Sequence, residues 1–268
     1  MATQKPIVSV VMPLYNGEAF IAESIRSVMQ QAFQDWELIV VDDASSDNSV
    51  RHVKTLCAQD DRIRLIEQEH NSGAAVARNT AIECAQGRYI AFLDGDDLWL
   101  PHKLERQLAF MQEVGAGFSY SAYERISEAG EYLTPIGVPE RLRYQDLLKT
   151  CYIGCLTAIY DTQVYGKRFM PPIRKRQDYG LWLDLLRDGQ EASGLNEILA
   201  TYRVRTDSIS ANKAKTSTYT WRIYRELEAF SPAKSAYYFS QYAIRGVLRR
   251  QFPSMAVHLG VLHRVQGH

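Results

Sequence analysis

Residues 88–99 of the chain read Arg88-Tyr89-Ile90-Ala91-Phe92-Leu93-Asp94-Gly95-Asp96-Asp97-Leu98-Trp99. The first half is a short apolar run rich in aromatic and β-branched residues, which is typical of a buried strand. The second half places three carboxylates around one glycine. Carboxylates this close repel one another unless a cation lies among them, and oxygen ligands suit Mg²⁺ or Mn²⁺. The stretch therefore predicts a metal–diphosphate site at a strand end, with an Asp/Gly surface turn as the alternative.

The composition of the whole chain narrows the class of protein. Its 268 residues, 46% of them hydrophobic and 23% charged, are typical of a soluble globular protein with one large domain, or one domain and a tail. A formal net charge of zero argues against nucleic acid as a partner. The four cysteines form no Cys-x-x-Cys pair, so zinc is disfavoured and a reduced, cytoplasmic compartment is expected. No signal peptide or membrane-spanning stretch is evident.

The first hundred residues alternate four times between strand and helix patterns. Near-continuous apolar runs predict buried parallel strands at Ile7–Met12, Trp36–Val41, Arg62–Ile66 and in the stretch quoted above. Helical spacing of apolar residues predicts helices over Phe20–Met29 with Asn16 as a cap, over Val50–Cys57, and from Asn71 to about Ala85. This alternation predicts a doubly wound, mostly parallel α/β sheet with right-handed crossovers.

Polar loops follow three of these four strands. They are Pro13–Asn16, Asp42–Ser46 and Asp94–Asp97. Because ligands of such sheets bind outside the carboxyl ends of the strands, we expect the three loops to converge on one site. The chain has neither a P-loop nor Gly-x-Gly-x-x-Gly after its first strand, so phosphate charge must be met by a metal and by arginine.

The middle of the chain gives shorter patterns. They predict strands at Ala116–Tyr123, Ile153–Tyr160 and Ile198–Val204, and helices around Leu104–Met111, Gln145–Lys149 and Leu181–Leu186. Residues 124–150 are hard to assign, and an acceptor-binding lobe is expected to begin there.

The end of the chain is basic. From Ser231 to His268 there is no acid, and the charged residues are Lys234, Arg245, Arg249, Arg250 and Arg264, with three histidines. Aromatic and aliphatic residues alternate with them, which predicts a basic amphipathic helix that lies on an anionic membrane surface. Such attachment would be peripheral and weakened by salt. The alternative is a packing helix whose basic face is solvated.

Four blocks of the chain resemble family 2 glycosyltransferases with the GT-A fold. The blocks are Val8–Asn16, Val40–Asp47, Asn71–Asn79 with the run to Asp97, and Arg176–Trp182 with Tyr202–Ser210. The resemblance implies a Rossmann-like GT-A domain over residues 1–214, with a nucleotide-binding half (about 1–100) and an acceptor half (about 101–214). The remaining residues, 215–268, would form a helical extension similar to the tails of bacterial enzymes that build surface polysaccharides.

The resemblance also implies an activity and its site. It implies transfer of a hexose, with inversion, from a nucleotide-diphosphate sugar, most readily a UDP-sugar, to a carbohydrate such as a lipid-linked polysaccharide or O-antigen precursor. The nucleotide sugar would be bound by Pro13, Tyr15, Asp43, Asn71, Arg78 and Asp94. Mn²⁺ or Mg²⁺ would bind Asp96, with Asp94 beside it, and Asp178 would be the catalytic base. Relatives often carry histidine where this chain has Arg205, which would instead pair with the diphosphate.

Several of these residues have simpler interpretations. Asp178 is also a suitable cap for a helix that starts near Tyr179, and Asp43 a suitable Asx-turn residue. The alternative for Arg78 is an ion pair with Glu83 or with another exposed acid. Asp97 is expected at a helix start or in a supporting position. Trp182 is expected in the core, and Arg205 can be a surface charge.

Two other functions share this pattern. A sugar nucleotidyltransferase uses a similar sheet and a metal carboxylate, but usually has a glycine-rich loop with a basic residue after the first strand. A non-catalytic membrane-associated binding protein on the same fold would not need Asp94, Asp96 and Asp178 together.

Overall fold

The computed structural model of the chain describes residues 5–205 and 213–265. The described residues form one ten-stranded sheet. Its strands are β1 (Val8–Leu14), β2 (Trp36–Asp42), β3 (Ile63–Glu67), β4 (Tyr89–Phe92), β5 (Leu98–Trp99), β6 (Phe118–Ser127), β7 (Tyr132–Ile136), β8 (Arg141–Arg143), β9 (Ile159–Asp161) and β10 (Glu191–Val204).

Helices cover both faces of this sheet. They are α1 (Ile21–Met29), α2 (Ser49–Cys57), α3 (Ala74–Cys84), α4 (Lys103–Val114), α5 (Tyr144–Lys149), α6 (Thr162–Tyr165), α7 (Gln177–Leu186), α8 (Lys213–Arg222), α9 (Pro232–Gln251) and α10 (Pro253–His258). A 3₁₀ turn covers Cys155–Thr157, and a π-helical turn covers Ile223–Leu227. None of the helices within the described residues is long and apolar enough to cross a membrane.

The sheet begins with the four strands predicted from the first hundred residues. They lie in the order β3-β2-β1-β4, and every neighbouring pair among them is parallel. Next to β4 lies β9, which runs antiparallel to both β4 and β6, while β6 and β10 are parallel to each other. The carboxyl ends of β1, β2 and β4 therefore lie side by side at one edge, as predicted.

Strands β1, β2 and β4 are mostly apolar because both of their faces are covered. In β1, Val10 and Met12 pack with Ile25 of α1, whereas Val11 points to the other face and packs with Ala77 and Ile82 of α3. Successive side chains of a strand point to opposite faces, so a strand buried on both sides lacks the usual alternation of polar and apolar residues. This burial holds the loops after β1, β2 and β4 in fixed positions.

Two local predictions were wrong. Asn16 does not cap α1, whose N-cap is Phe20; instead Asn16 adopts a positive φ of 47° and its Oδ1 accepts a hydrogen bond from the Ser46 amide at 2.8 Å. Asn16 thus joins the loops after β1 and β2. The strand predicted over Ile153–Tyr160 is limited to β9, because a 3₁₀ turn precedes it.

The C-terminal helices pack back onto the middle of the chain. Helix α9 contacts α5, and the Arg249 guanidinium donates to Thr150 Oγ1 at 2.6 Å. Beyond α10, the Asn196 amide donates to the Arg264 carbonyl at 2.8 Å. The division at residue 214 into a core and an extension stays a prediction.

Candidate active site

The acidic loop after β4 lies against the end of β1. A Cβ on Gly95 would meet Ile21 Cδ1 at 3.2 Å and the Pro13 carbonyl oxygen at 3.6 Å, so glycine suits this close approach. The Asp97 amide donates to the Asp94 carbonyl at 3.1 Å and closes the turn. The side chains of Asp94 and Asp96 remain 31% and 30% exposed, so both can reach a ligand.

The third carboxylate of the loop has a different environment. Asp97 is 2% exposed, and its Oδ1 accepts a hydrogen bond from the Arg203 amide of β10 at 2.9 Å. Burial, followed by the charges of Asp96 and Asp94, raises its pKa well above the usual value. The strand β5 begins at Leu98, so the interpretation of Asp97 as a helix start was wrong. Asp97 instead fixes the acidic loop to β10.

Each of the two accessible carboxylates is paired with an arginine. Arg78 of α3 donates to Asp94 Oδ1 at 2.5 Å, and Arg205 donates to Asp96 Oδ2 at 3.2 Å. Arg78 is 7% exposed, and this burial by itself lowers the pKa of the guanidinium. Nearby negative charge, chiefly that of Asp94, more than offsets the effect of burial, so the pKa of Arg78 is raised overall. Arg78 thus pairs with Asp94 and not with Glu83. Arg205 is no isolated surface charge, because it also lies 3.7 Å from a carboxylate oxygen of Glu128.

Asp43 joins the loop after β2 to the start of α3. Its two carboxylate oxygens accept hydrogen bonds from the Ser72 and Gly73 amides at 2.7 and 2.8 Å, and Asn71 Nδ2 donates to its carbonyl at 3.3 Å. The Asx-turn interpretation of Asp43 was therefore wrong; the neighbouring Asp42 makes the local bond, to the Ser45 amide. A contact of Asp43 with the nucleotide sugar stays a prediction.

The remaining predicted nucleotide contacts lie at the same edge. Pro13 is half-buried near the end of β1, where it is in register with Val41 of β2. Tyr15 follows β1 and is 55% exposed. Both residues are available to a ligand above the strand ends.

Asp178 enters this site from the other half of the chain. It lies in the first turn of α7 and is half-buried, and burial is the main cause that raises its pKa. The charges of Arg78 and Arg176 oppose that shift and the charge of Asp94 adds to it, so Asp178 lies near the Arg78–Asp94 pair. The N-cap of α7 is Arg176, with a φ of 61°, so the interpretation of Asp178 as the cap was wrong.

The aromatic residues beside Asp178 belong to the core. Trp182 is fully buried and its ring meets the Phe92 ring edge-on, with centroids 5.4 Å apart, which confirms the core interpretation. The Tyr179 hydroxyl is also buried and donates to the Leu147 carbonyl at 2.8 Å. Neither ring is available to stack on a sugar.

Sequence reasoning missed the role of Arg203. This arginine is 5% exposed; its Nε donates to the Asp96 carbonyl at 3.0 Å and its guanidinium to Glu23 at 2.7 Å. The guanidinium carbons of Arg203 and Arg205 lie 4.6 and 5.3 Å from the Phe20 ring centroid. The available signal was the spacing of the two arginines, because residues two apart along an extended chain point to the same side.

The donor set fits a hard divalent cation. Asp94 and Asp96 offer carboxylate oxygens at one edge, which Mg²⁺ and Mn²⁺ prefer. Burial and then the Asp94 charge raise the pKa of Asp96, so a further positive charge would be favourable there. Among the described residues no three His, Cys, Asp or Glu side chains are grouped to hold a metal ion, so phosphate or water oxygens would have to complete its coordination.

Comparison with known sequences identifies the family. The sequence model of glycosyl transferase family 2 matches residues 9–169, more than half of the chain. The chain belongs to this family. It is 46% identical over 251 residues to the putative teichuronic acid biosynthesis glycosyltransferase TuaG of Bacillus subtilis (strain 168), covering 93% of this chain and 100% of TuaG. It is 39% identical over 250 residues to the Escherichia coli UDP-Glc:alpha-D-GlcNAc-diphosphoundecaprenol beta-1,3-glucosyltransferase WfgD, covering 92% of this chain and 96% of WfgD.

Solved structures share the fold of this chain. The S. aureus protein TarS in complex with UDP-GlcNAc superposes with a TM-score of 0.71 at 19% identity, covering 92% of this chain and 73% of that chain. The mannosyltransferase PcManGT from Pyrobaculum calidifontis, in complex with GDP-Man and Mn²⁺, gives a TM-score of 0.64 at 16% identity. The match covers 96% of this chain and 80% of that chain. At these identities the likeness shows the fold alone, and it confirms the predicted GT-A architecture. This family 2 member is a glycosyltransferase.

The matched stretch does not include every predicted site residue of this glycosyltransferase. It contains Asp94 and Asp96 but ends before Asp178 and Arg205. Of the fourth block that carried the resemblance, residues 206–210 lie outside the described residues. The functions of individual site residues are therefore proposals.

Proposed function

We propose that this glycosyltransferase moves a sugar from a UDP-sugar to a hydroxyl of a lipid-linked carbohydrate, with inversion at the anomeric carbon. One observation carries the proposal: two accessible carboxylates, Asp94 and Asp96, lie at a strand end, and Asp178 of α7 is close enough for its charge to act on Arg78 and to be affected by that of Asp94. A site for metal and diphosphate thus adjoins a separate carboxylate that can act as a base. An inverting transfer requires these two parts.

The nucleotide would lie above the ends of β1 and β2. Pro13, Tyr15, Asp43 and Asn71 line that edge, and Arg78 and Asp94 would follow at the ribose and phosphates. When the donor binds, the Arg205 guanidinium would leave Asp96 and pair with the diphosphate instead. Its parallel N–H donors suit two phosphate oxygens. A uracil nucleotide is supported by the UDP-Glc in the description of WfgD and by the UDP-GlcNAc bound to TarS.

Asp94 and Asp96 would hold Mn²⁺ or Mg²⁺, and PcManGT with Mn²⁺ supports a metal in this fold. When bound, the ion would neutralise the negative charge that develops on the departing nucleoside diphosphate. Arg78 and Arg205 place two further positive charges at the same carboxylates.

Asp178 would act as the general base. The acceptor oxygen forms a bond to the anomeric carbon, the bond from that carbon to the diphosphate oxygen breaks, and the hydroxyl proton passes to Asp178. Direct attack opposite the leaving group inverts the configuration and needs one base. A second, nucleophilic carboxylate is not required.

A screen of nucleotides tests the donor class. We expect UDP and a UDP-sugar to raise the melting temperature of the protein in Mn²⁺, because a ligand at 100 times its Kd stabilises the folded state by about 2.7 kcal/mol. In EDTA the rise should be far smaller, because the metal that holds the diphosphate is removed. ADP and CDP serve as controls. Absence of any nucleotide binding would instead favour the non-catalytic alternative, and release of pyrophosphate during turnover would favour a nucleotidyltransferase.

The lipid-linked acceptor implies contact with the inner face of a membrane, and the C-terminal helices carry a suitable surface. Six large apolar side chains there are 51–57% exposed: Tyr237, Ile244, Val247, Phe252, Met255 and Leu259. We call this set the apolar face. Exposed Lys234 and Arg250 accompany it, and the segment has no acid. Apolar contact combined with positive charge suits an anionic bilayer surface. The opposite side of α9 packs on α5, so the packing interpretation accounts for one side of the helix only.

Vesicle binding tests the apolar face. Val247→Glu should reduce co-sedimentation with vesicles containing phosphatidylglycerol at least fivefold, because it places a negative charge against an anionic surface. Val164→Glu is the matched control, because Val164 of α6 is 52% exposed and lies outside the C-terminal helices. Equal losses in both variants, or binding to neutral vesicles alone, would contradict the proposal.

A further inference from the structure

The side of α9 that packs against the protein carries arginines. Tyr242, Arg245 and Arg249 are spaced by three and four residues, so they share one face of the helix. Opposite them lie the start of α7 and the segment after α5: the Arg176 guanidinium donates to the Tyr242 hydroxyl, and Arg249 donates to Thr150 Oγ1 at 2.6 Å. Arg176, Arg245 and Arg249 are called the arginine cluster below.

Within the described residues the arginine cluster has no carboxylate in direct contact, although the charge of Asp178 acts on Arg176 from a greater distance. Among the side chains that the structure describes, no carboxylate forms an ion pair with any of the three arginines, although Arg78, Arg187 and Arg203 each have one. Among the residues that the structure describes, the buried Nε atoms of Arg176 and Arg245 have no hydrogen-bond partner. Buried charged donors without acceptors are costly, so an anion that accepted from this cluster would be stabilised.

Aromatic rings fix the orientation of the cluster. The guanidinium carbon of Arg176 lies 5.0 Å from the Tyr242 ring centroid, and that of Arg249 lies 5.8 Å from the Tyr152 ring centroid. Such contacts hold a cation in place without neutralising it. The guanidinium N–H groups that do not donate to Tyr242 or Thr150 are the ones from which a phosphate would accept.

The arginine cluster adjoins the candidate base. Arg176 is two residues from Asp178 at the start of α7, and each of the two affects the pKa of the other. Burial chiefly raises the pKa of the Cys151 thiol; Asp178 adds to that rise, and Arg176 and Arg249 oppose it. Asp178 thus has the Arg78–Asp94 pair as one neighbour and the arginine cluster as another.

We propose that the arginine cluster binds the diphosphate of the lipid-linked acceptor and so holds the acceptor sugar beside Asp178. This inference rests on the proposed function, because it assigns a place to the acceptor of that reaction. Phosphate headgroups of the bilayer have the same chemistry. The acceptor diphosphate is favoured because Arg176 of the cluster lies two residues from Asp178, whereas the exposed arginine of α9, Arg250, lies on another face.

Binding of a soluble alkyl diphosphate tests the cluster directly. The enzyme is first saturated with UDP and Mn²⁺ so that the donor site is filled, and octyl diphosphate is then titrated by calorimetry, with octanol as the phosphate-free probe. We expect wild type to bind octyl diphosphate and not octanol. Arg245→Gln and Arg249→Gln should each weaken that binding at least tenfold. Arg250→Gln also removes one positive charge, but from the exposed side of α9, and should leave the affinity for octyl diphosphate unchanged.

The outcomes separate this inference from the proposed function. If UDP does not bind, the proposed function fails; if UDP binds but Arg245→Gln has wild-type affinity for octyl diphosphate, the cluster assignment fails. Loss of binding to phosphatidylglycerol vesicles with unchanged affinity for octyl diphosphate would assign the cluster to headgroups and overturn the acceptor assignment. Melting curves check folding, and Arg245→Lys, which keeps the charge, should bind more tightly than Arg245→Gln.

Discussion

Asp96→Ala is expected to abolish sugar transfer, with turnover reduced at least about 1,000-fold, while the protein stays folded. The substitution removes one of the two accessible carboxylates, and with it the proposed ligand of the metal. Asp96 is 30% exposed in its side chain and its pair with Arg205 is partly solvated, so stability should change by at most about 1 kcal/mol. Calorimetry should show that UDP binds the variant equally weakly with Mn²⁺ and with EDTA.

The control for this variant is Glu128→Ala. Glu128 is the other carboxylate near Arg205, at 3.7 Å, so its removal changes the electrostatics of the arginine without touching the acidic loop. Glu128→Ala should keep metal-dependent UDP binding. If Asp96→Ala also keeps a binding enhancement by Mn²⁺, the metal does not bind at Asp96 and the assignment is wrong.

Asp94 is a poorer choice for this test. Its partner Arg78 has a side chain that is only 9% exposed, and Asp94→Ala would leave that guanidinium buried without its ion-pair partner. Breaking a buried ion pair from one side costs about 3–5 kcal/mol. Loss of activity in Asp94→Ala would then mix a missing ligand with a damaged fold.

The fold of the first hundred residues could be predicted because burial alone determines it. β1, β2 and β4 are covered on both faces, and nearly continuous apolar runs such as Trp36–Val41 indicate such burial in the sequence. The meeting of three polar loops then followed from parallel topology. The partner of Arg78 did not follow, because Asp94 comes close to it only when α3 packs against β1 and β2.

The middle of the chain resisted prediction because tertiary contacts shape it. The run Ile153–Tyr160 has strand composition, yet its first part turns so that the Leu156 carbonyl accepts a hydrogen bond from Trp99 Nε1 at 2.7 Å. β9 is only three residues long and is held by β4 and β6. Hydrogen bonds and strand pairing between distant parts of the chain cannot be predicted from a local sequence pattern.

The basic tail shows a different limit. Its sequence predicted one basic face on an amphipathic helix. In the structure Arg245 and Arg249 face the protein, while Arg250 is exposed among apolar side chains. The composition of the segment predicts its positive charge. Which arginines face the protein and which face solvent depends on how α9 packs.

Asp178→Asn is expected to lower turnover by about 100- to 10,000-fold while leaving UDP binding and its Mn²⁺ dependence intact, because only proton removal is lost. That combination distinguishes it from Asp96→Ala. The matched control is Asp184→Asn on the same helix, whose carboxylate pairs with Arg168 and Arg187 away from the site. Wild-type turnover in Asp178→Asn would show that another group takes the proton.

The stability of Asp178→Asn should change in the direction opposite to its activity. Burial raises the pKa of Asp178 in the folded state, so at neutral pH the ionised carboxylate favours the unfolded chain, and the neutral amide removes that penalty. The variant should therefore melt at the same temperature as wild type or higher near pH 7, and the difference should shrink as the pH falls through the raised pKa. In wild type the same shift should move the acidic limb of the turnover profile above the pH range of an ordinary aspartate, since only the ionised form accepts a proton. A residue retained at a cost to folding, whose removal stops turnover, is what a catalytic base requires and a structural carboxylate does not. A lower melting temperature for Asp178→Asn than for Asp184→Asn would instead favour a structural role for Asp178.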